Sequence, residues 1–163
     1  MLKILAAATA FGLVATTTAV AQPASKPEPL MTDWALEDVR ALIVERGETV
    51  SDSGVENGQL FVAGRTAAGM NFVAYGVGCA GTPVRCKGLN LTTGYRLSNS
   101  AEVDQALKQI NLVAVGSRNG GDSALDLNRY VLFDGGIARA NLKANIDVFF
   151  RLTGQVWKSA QGQ

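Results

Sequence analysis

Histidine is absent from all 163 residues. That removes the side chain most often used for proton transfer near neutral pH, and with it the commonest metal ligand. A Ser/His/Asp triad, a Cys/His dyad and any histidine-based zinc site are excluded outright. Serine–lysine and paired-carboxylate chemistry survive the exclusion, but neither has a recognisable motif. The chain therefore reads as a non-enzyme, with no catalytic residue, no cofactor and no metal site. An excess of one charge is also missing. The 15 Lys+Arg stand against 14 Asp+Glu, and Lys3 is the sole charge within residues 1–21, so residues 22–163 are formally neutral. A neutral domain lacks the basic footprint that phosphate backbones demand, which argues against nucleic acid as a partner. No long like-charge block or Arg/Lys-rich amphipathic helix points to a membrane surface either.

Cysteine is scarce. Cys79 and Cys86 are the only two, separated by Ala80-Gly81-Thr82-Pro83-Val84-Arg85. Gly81 and Pro83 are turn formers, and the apolar runs on either side read as strands, so the pair falls across the base of a short hairpin loop. The spacer is longer than that of thioredoxin-like redox motifs, and no further Cys or His could complete a metal shell. A structural disulfide is the expected outcome in an oxidising compartment, where closing so short a loop is worth about 2.5 kcal/mol in the chain-entropy model.

That compartment is announced at the N-terminus. Met1-Leu2-Lys3 carries one positive charge, and an apolar run from Ile4 to Ala15 follows. A threonine stretch then leads to Ala19-Val20-Ala21, a small-x-small cleavage site. This is the layout of a secretory signal peptide over residues 1–21, with the mature chain starting at Gln22. The apolar run is shorter than the ~20 residues needed to span a bilayer, so no membrane insertion is expected after cleavage. No cysteine follows the cleavage site to carry a lipid. The expected location is periplasmic or secreted. Residues 22–33 hold three of the four prolines and read as a flexible leader.

The remainder is one domain, over residues 34–157, followed by a disordered tail over 158–163. Asp33 or Thr32 is placed to cap a first helix, in which Leu36, Val39, Leu42 and Ile43 recur at helical spacing and Arg46-Gly47 supplies the stop. Strands are expected over 49–55, 60–64, 70–77 and 86–97, the last with Leu89, Leu91 and Tyr95 on one face. Ser100 is placed to cap a second helix with the stripe Val103, Ala106, Leu107 and Ile110. Strands over 112–117 and 124–133 flank a tight turn at Asn119-Gly120. A last helix is expected over 139–153, with Val156 and Trp157 docking its tail. The pattern is α+β: an antiparallel β-sheet of about five to six strands with three helices packed against it.

That order and its punctuation resemble the YbjN family of bacterial proteins over about residues 34–157. The likeness rests on Leu36-Glu37-Asp38-Val39, on Asn71-Phe72-Val73 running into Cys79, on Ile110-Asn111, on Asp134-Gly135-Gly136-Ile137, and on Asn141-Leu142-Lys143-Ala144-Asn145-Ile146. It implies a fold like that of type III secretion chaperones, often dimeric, and a description as a sensory-transduction regulator. It brings no catalytic residues. Leu112-Val113-Ala114-Val115 departs from relatives, which commonly carry a tryptophan and a second asparagine just after Ile110-Asn111.

Sharper motif readings give way to plainer ones. Asp134-Gly135-Gly136 before a helix could hold an anion, but reads better as a strand-to-helix turn. Asn119-Gly120-Gly121-Asp122 lacks the lysine and Ser/Thr of a phosphate loop. Asn90-Leu91-Thr92 spells a glycosylation sequon that a bacterial chain would not use. Asp126 and Asp134 as a carboxylate pair have no pocket signal. Trp34, Phe149, Phe150 and Trp157 read as core. The functional expectation is a chaperone-like or regulatory module that binds a protein or peptide segment by β-augmentation, with homodimerisation open and the partner-binding residues unassigned. A small-molecule or envelope-stress sensing module is the alternative.

Overall fold

The structure is a computed structural model and describes residues 28–109, 115–118 and 123–160. The expected signal peptide over 1–21, most of the expected leader, residues 110–114 with Ile110 and the start of the strand expected over 112–117, the turn expected at Asn119-Gly120 and the last three residues lie outside the described residues. The elements run α1 (Leu36–Glu45), β1 (Thr49–Glu56), β2 (Gln59–Arg65), β3 (Asn71–Ala80), β4 (Arg85–Arg96), α2 (Ser100–Gln109), β5 (Val115–Arg118), β6 (Ala124–Leu132) and α3 (Arg139–Ala160). The strands form one sheet in the order β1-β2-β3-β4-β6-β5, antiparallel throughout. The expected α+β class is therefore what forms.

Helix α1 starts later than its sequence signals suggest. Its N-cap is Ala35, whose amide donates to the Asp38 carboxylate at 2.7 Å. Asp33 is drawn away instead to Arg85, with Lys87 at 3.6 Å. The helix stops as expected. Gly47 takes a left-handed φ of 81°, and the amides of Gly47 and Glu48 donate back to Val44 and Ile43. That double bond satisfies the last carbonyls and turns the chain into β1.

Helix α2 is capped by Asn99, one residue before the expected Ser100. The Asn99 Oδ1 accepts the Glu102 amide at 3.1 Å, while the Glu102 carboxylate accepts the Ser98 amide at 3.0 Å. Both residues carry side chains suited to the cap, and reciprocity with Glu102 decides for Asn99. Helix α3 continues beyond the expected Thr153 to Ala160, so Trp157 lies within the helix and Lys158 is not yet tail. The reason is burial: Val156 is 2 % exposed and Trp157 packs beside Tyr95. Gly154 is too weak a breaker to overcome that.

Residues 28–33, the described end of the segment read as a leader, are bonded into the domain. Met31 exchanges backbone hydrogen bonds with Ile137, each at 2.9 Å, and Trp34 does so with Cys86 at 2.9 and 3.0 Å. Pro29 is the last proline before Met31, so the amides from Leu30 onward are free to pair. The Trp34 indole is fully buried and donates to the Gly88 carbonyl at 2.7 Å.

One hydrophobic core lies on one side of the sheet. Val39, Leu42 and Ile43 of α1, Val103 of α2, and Leu142, Ile146, Phe149 and Phe150 of α3 join it. The sheet contributes alternate residues: Leu60 and Val62, Phe72 and Ala74, Leu89 and Leu91, Leu125 and Leu127. Strand alternation sends the intervening side chains to the opposite face. The Arg46 guanidinium pairs with Asp147, lies 3.5 Å from Glu48 and stands over the Phe150 ring, tying α1 to α3.

Candidate functional site

The face of the sheet opposite the helices is where the described residues leave apolar groups uncovered. Register builds it in rows. Phe61 of β2 stands opposite Tyr75 of β3, Tyr75 opposite Asn90 of β4, and Asn90 opposite Tyr130 of β6. The next row is Val77, Gly88 and Leu132, and the row on the other side is Ala63, Val73, Thr92 and Asn128. Two glycines confirm the orientation. A Cβ on Gly88 would meet Leu132 at 3.1 Å and Val77 at 3.4 Å, and one on Gly54 would meet the Phe61 ring at 3.4 Å. Tyr130 is 59 % exposed and Leu132 is 67 % exposed, while Phe61, Tyr75, Val73 and Val77 are half-buried among their neighbours. None of these residues is charged, so the middle of the face is aromatic, aliphatic and amide in character. The Asn90 amide nitrogen faces the Asn128 Oδ1 at 3.5 Å.

Strand β1 bounds this face on one side, at the edge of the sheet. Its register with β2 slips between Val50 and Asp52, a bulge at Ser51. From there Asp52 stands opposite Ala63, Gly54 opposite Phe61, and Glu56 opposite Gln59, after which Asn57 and Gly58 turn with positive φ. Asp52, Val55 and Glu56 are exposed. The other edge, β5, comprises four described residues.

The two cysteines are joined. Cys79 and Cys86 stand directly opposite each other on β3 and β4, with an S–S distance of 1.99 Å. They close the end of the β3–β4 hairpin where Trp34 pairs along the other side of Cys86. A Cβ on Gly76 would lie 2.2 and 2.4 Å from the two sulfurs, so that position admits only glycine. The bond holds the uncovered rows in register.

The remaining motif residues scatter. Asp126 and Asp134 are eight residues apart along an extended segment, about 26 Å at strand rise, and form no carboxylate pair. The Gly136 amide donates to the Phe133 carbonyl at 2.8 Å, which makes Asp134-Gly135-Gly136 a turn. Trp34 and Phe149 are fully buried and Phe150 nearly so, in the core. Asn90 of the sequon lies mid-strand in β4. Among the described residues no three acidic or cysteine side chains gather as a metal site, and no helix is long and apolar enough to cross a membrane.

Sequence reasoning did not locate the aromatic row. Its signal was the alternation of Val73, Tyr75 and Val77 with Phe72, Ala74 and Gly76, two apolar sets on opposite faces of one strand. No family model, curated protein or solved structure matches the chain.

Proposed function

We propose that this chain is an extracytoplasmic, non-enzymatic protein-binding module, YbjN-like in kind and chaperone-like in fold, which takes an extended protein segment at the β1 edge. The observation that carries this reading is an eight-residue edge strand adjoining a sheet face whose middle rows are uncharged and that no described helix covers. An added strand gains affinity from main-chain hydrogen bonds and specificity from alternate side chains. An uncapped edge of this length is otherwise an aggregation hazard, so a partner gives it a use. The disulfide and the secretory leader support a periplasmic or secreted setting.

Proline insertion tests the reading. Backbone amides of neighbouring strand residues point to opposite sides, so one of Ser53→Pro and Gly54→Pro removes an amide facing β2 and the other an amide facing outward. The outward-facing variant keeps the fold. In cells, a photo-crosslinker at Val55 is expected to capture a recurrent protein that this variant loses. Capture unchanged by the folded proline variant would defeat the β1 reading.

A further inference from the structure

The outward chemistry of β1 says more about the segment it takes. Resting on the proposed use of this edge, we infer that the partner is an extended protein segment of the pattern basic–x–apolar–x–basic. Between the Ser51 bulge and the Asn57-Gly58 turn, regular pairing with β2 runs from Asp52 to Glu56. On the uncovered face that stretch presents three positions in a line, Asp52, Gly54 and Glu56. Both carboxylates are exposed and neither is in an ion pair with any described residue, while Asp52 Oδ1 accepts the adjacent Ser53 amide at 2.7 Å. A strand laid along β1 sets its alternate side chains directly opposite these three, where opposite charges attract and like charges repel.

The centre of the pattern is set by a missing side chain. Gly54 is flanked on β2 by Phe61, whose ring reaches to 3.4 Å from where a Gly54 Cβ would stand. Glycine leaves the edge of that ring open toward the incoming strand, and an apolar residue opposite Gly54 covers it. On the helix side, the exposed Val55 offers apolar contact to one of the intervening residues. The pattern reads the same in both directions, so it holds for parallel and antiparallel addition.

Other occupants fit less well. A second copy paired antiparallel about Gly54 places Asp52 against Glu56 of its neighbour, carboxylate on carboxylate, at both ends. The segments of this chain outside the described residues contain Lys3 and Lys26 as their only basic residues, too far apart to flank one apolar position.

The experiment is an NMR titration of the nitrogen-labelled mature chain with three capped peptides: Thr-Lys-Thr-Val-Thr-Lys-Thr, its double-glutamate counterpart, and a version with serine for valine. The lysine peptide is expected to shift β1 amides and to bind about three- to tenfold more tightly than the glutamate peptide, a preference that shrinks at high salt. The serine version is expected to bind more weakly than the valine one. In the exposed double variant Asp52→Lys with Glu56→Lys, the charge preference inverts. Equal binding of the lysine and glutamate peptides at β1 would overturn the basic pattern while leaving strand addition standing. Failure of all three to perturb β1 would overturn both.

Discussion

Single residues decide how firmly the ends of this sheet are held. Tyr95 is 4 % exposed, and its hydroxyl donates to the Thr153 carbonyl at 2.7 Å, with the Met70 sulfur 2.9 Å away. Burial pushes the phenol well above its ordinary pKa, so it remains a donor. Tyr95→Phe deletes that bond and keeps the ring, and is expected to lower stability by about 1 kcal/mol in urea unfolding. Asp33 works by charge. The Arg85 guanidinium hydrogen-bonds its carboxylate and holds its pKa below the usual aspartate value, with Lys87 adding attraction. A carboxylate whose folded pKa is depressed stabilises the fold above its unfolded pKa, about 4, and loses that contribution as pH falls through the folded value. Asp33→Asn is therefore expected to be less stable than the parent at pH 6 and equal to it once both are well below pH 3. Paired denaturation curves at the two pH values check this. Persistence of the gap in acid would assign it to packing.

At the scale of elements, the sequence shows why strands and helix interiors were legible while helix starts were not. The α1 stripe, the α2 stripe and the alternation of β4 each depend on many residues, so no single competitor shifts them. An N-cap depends on one or two. Asp33 had the right chemistry for α1 but found stronger partners in Arg85 and Lys87, which lie far away in sequence. Asn99 and Ser100 were equally suited at α2, and only the reciprocal Glu102 contacts separate them. Trp34 was read as core, which it is, but its strand-like exchange with Cys86 has no local sequence signal. Helix α3 offers a direct test of propensity against packing. Gly154 sits inside it with ordinary helical φ and nothing within 4 Å of a would-be Cβ. Gly154→Ala is expected to raise stability by about 0.5–1 kcal/mol, by narrowing the unfolded ensemble and filling no occupied space. A lower melting temperature for Gly154→Ala would show that α3 needs flexibility at that point.

Across the whole molecule, topology divides the chain into a committed side and an uncommitted one. The chain crosses through α2 after β4, and β6 rather than β5 then pairs with β4, so the first meander and the last hairpin fuse into one sheet. The helices share a single core with one of its faces. The class was readable from element order. The site was not, because the apolar residues on the two faces of β3 and β6 look alike in sequence, and only the helices tell them apart. Strand β6 makes the distinction measurable within a few residues. Leu127 is fully buried against the helices, while Leu132, on the other face, is 67 % exposed. Leu127→Ala is expected to cost about 2–5 kcal/mol, since it opens a cavity among packed neighbours. Leu132→Ser, with water already on most of its surface, is expected to change stability by less than about 0.5 kcal/mol. If partner capture at Val55 depends on the open face as well as on the edge, Leu132→Ser combined with Tyr130→Ser weakens it while the unfolding curve stays in place. A large loss of stability from the serine pair would instead mean that the face is already covered by this chain itself.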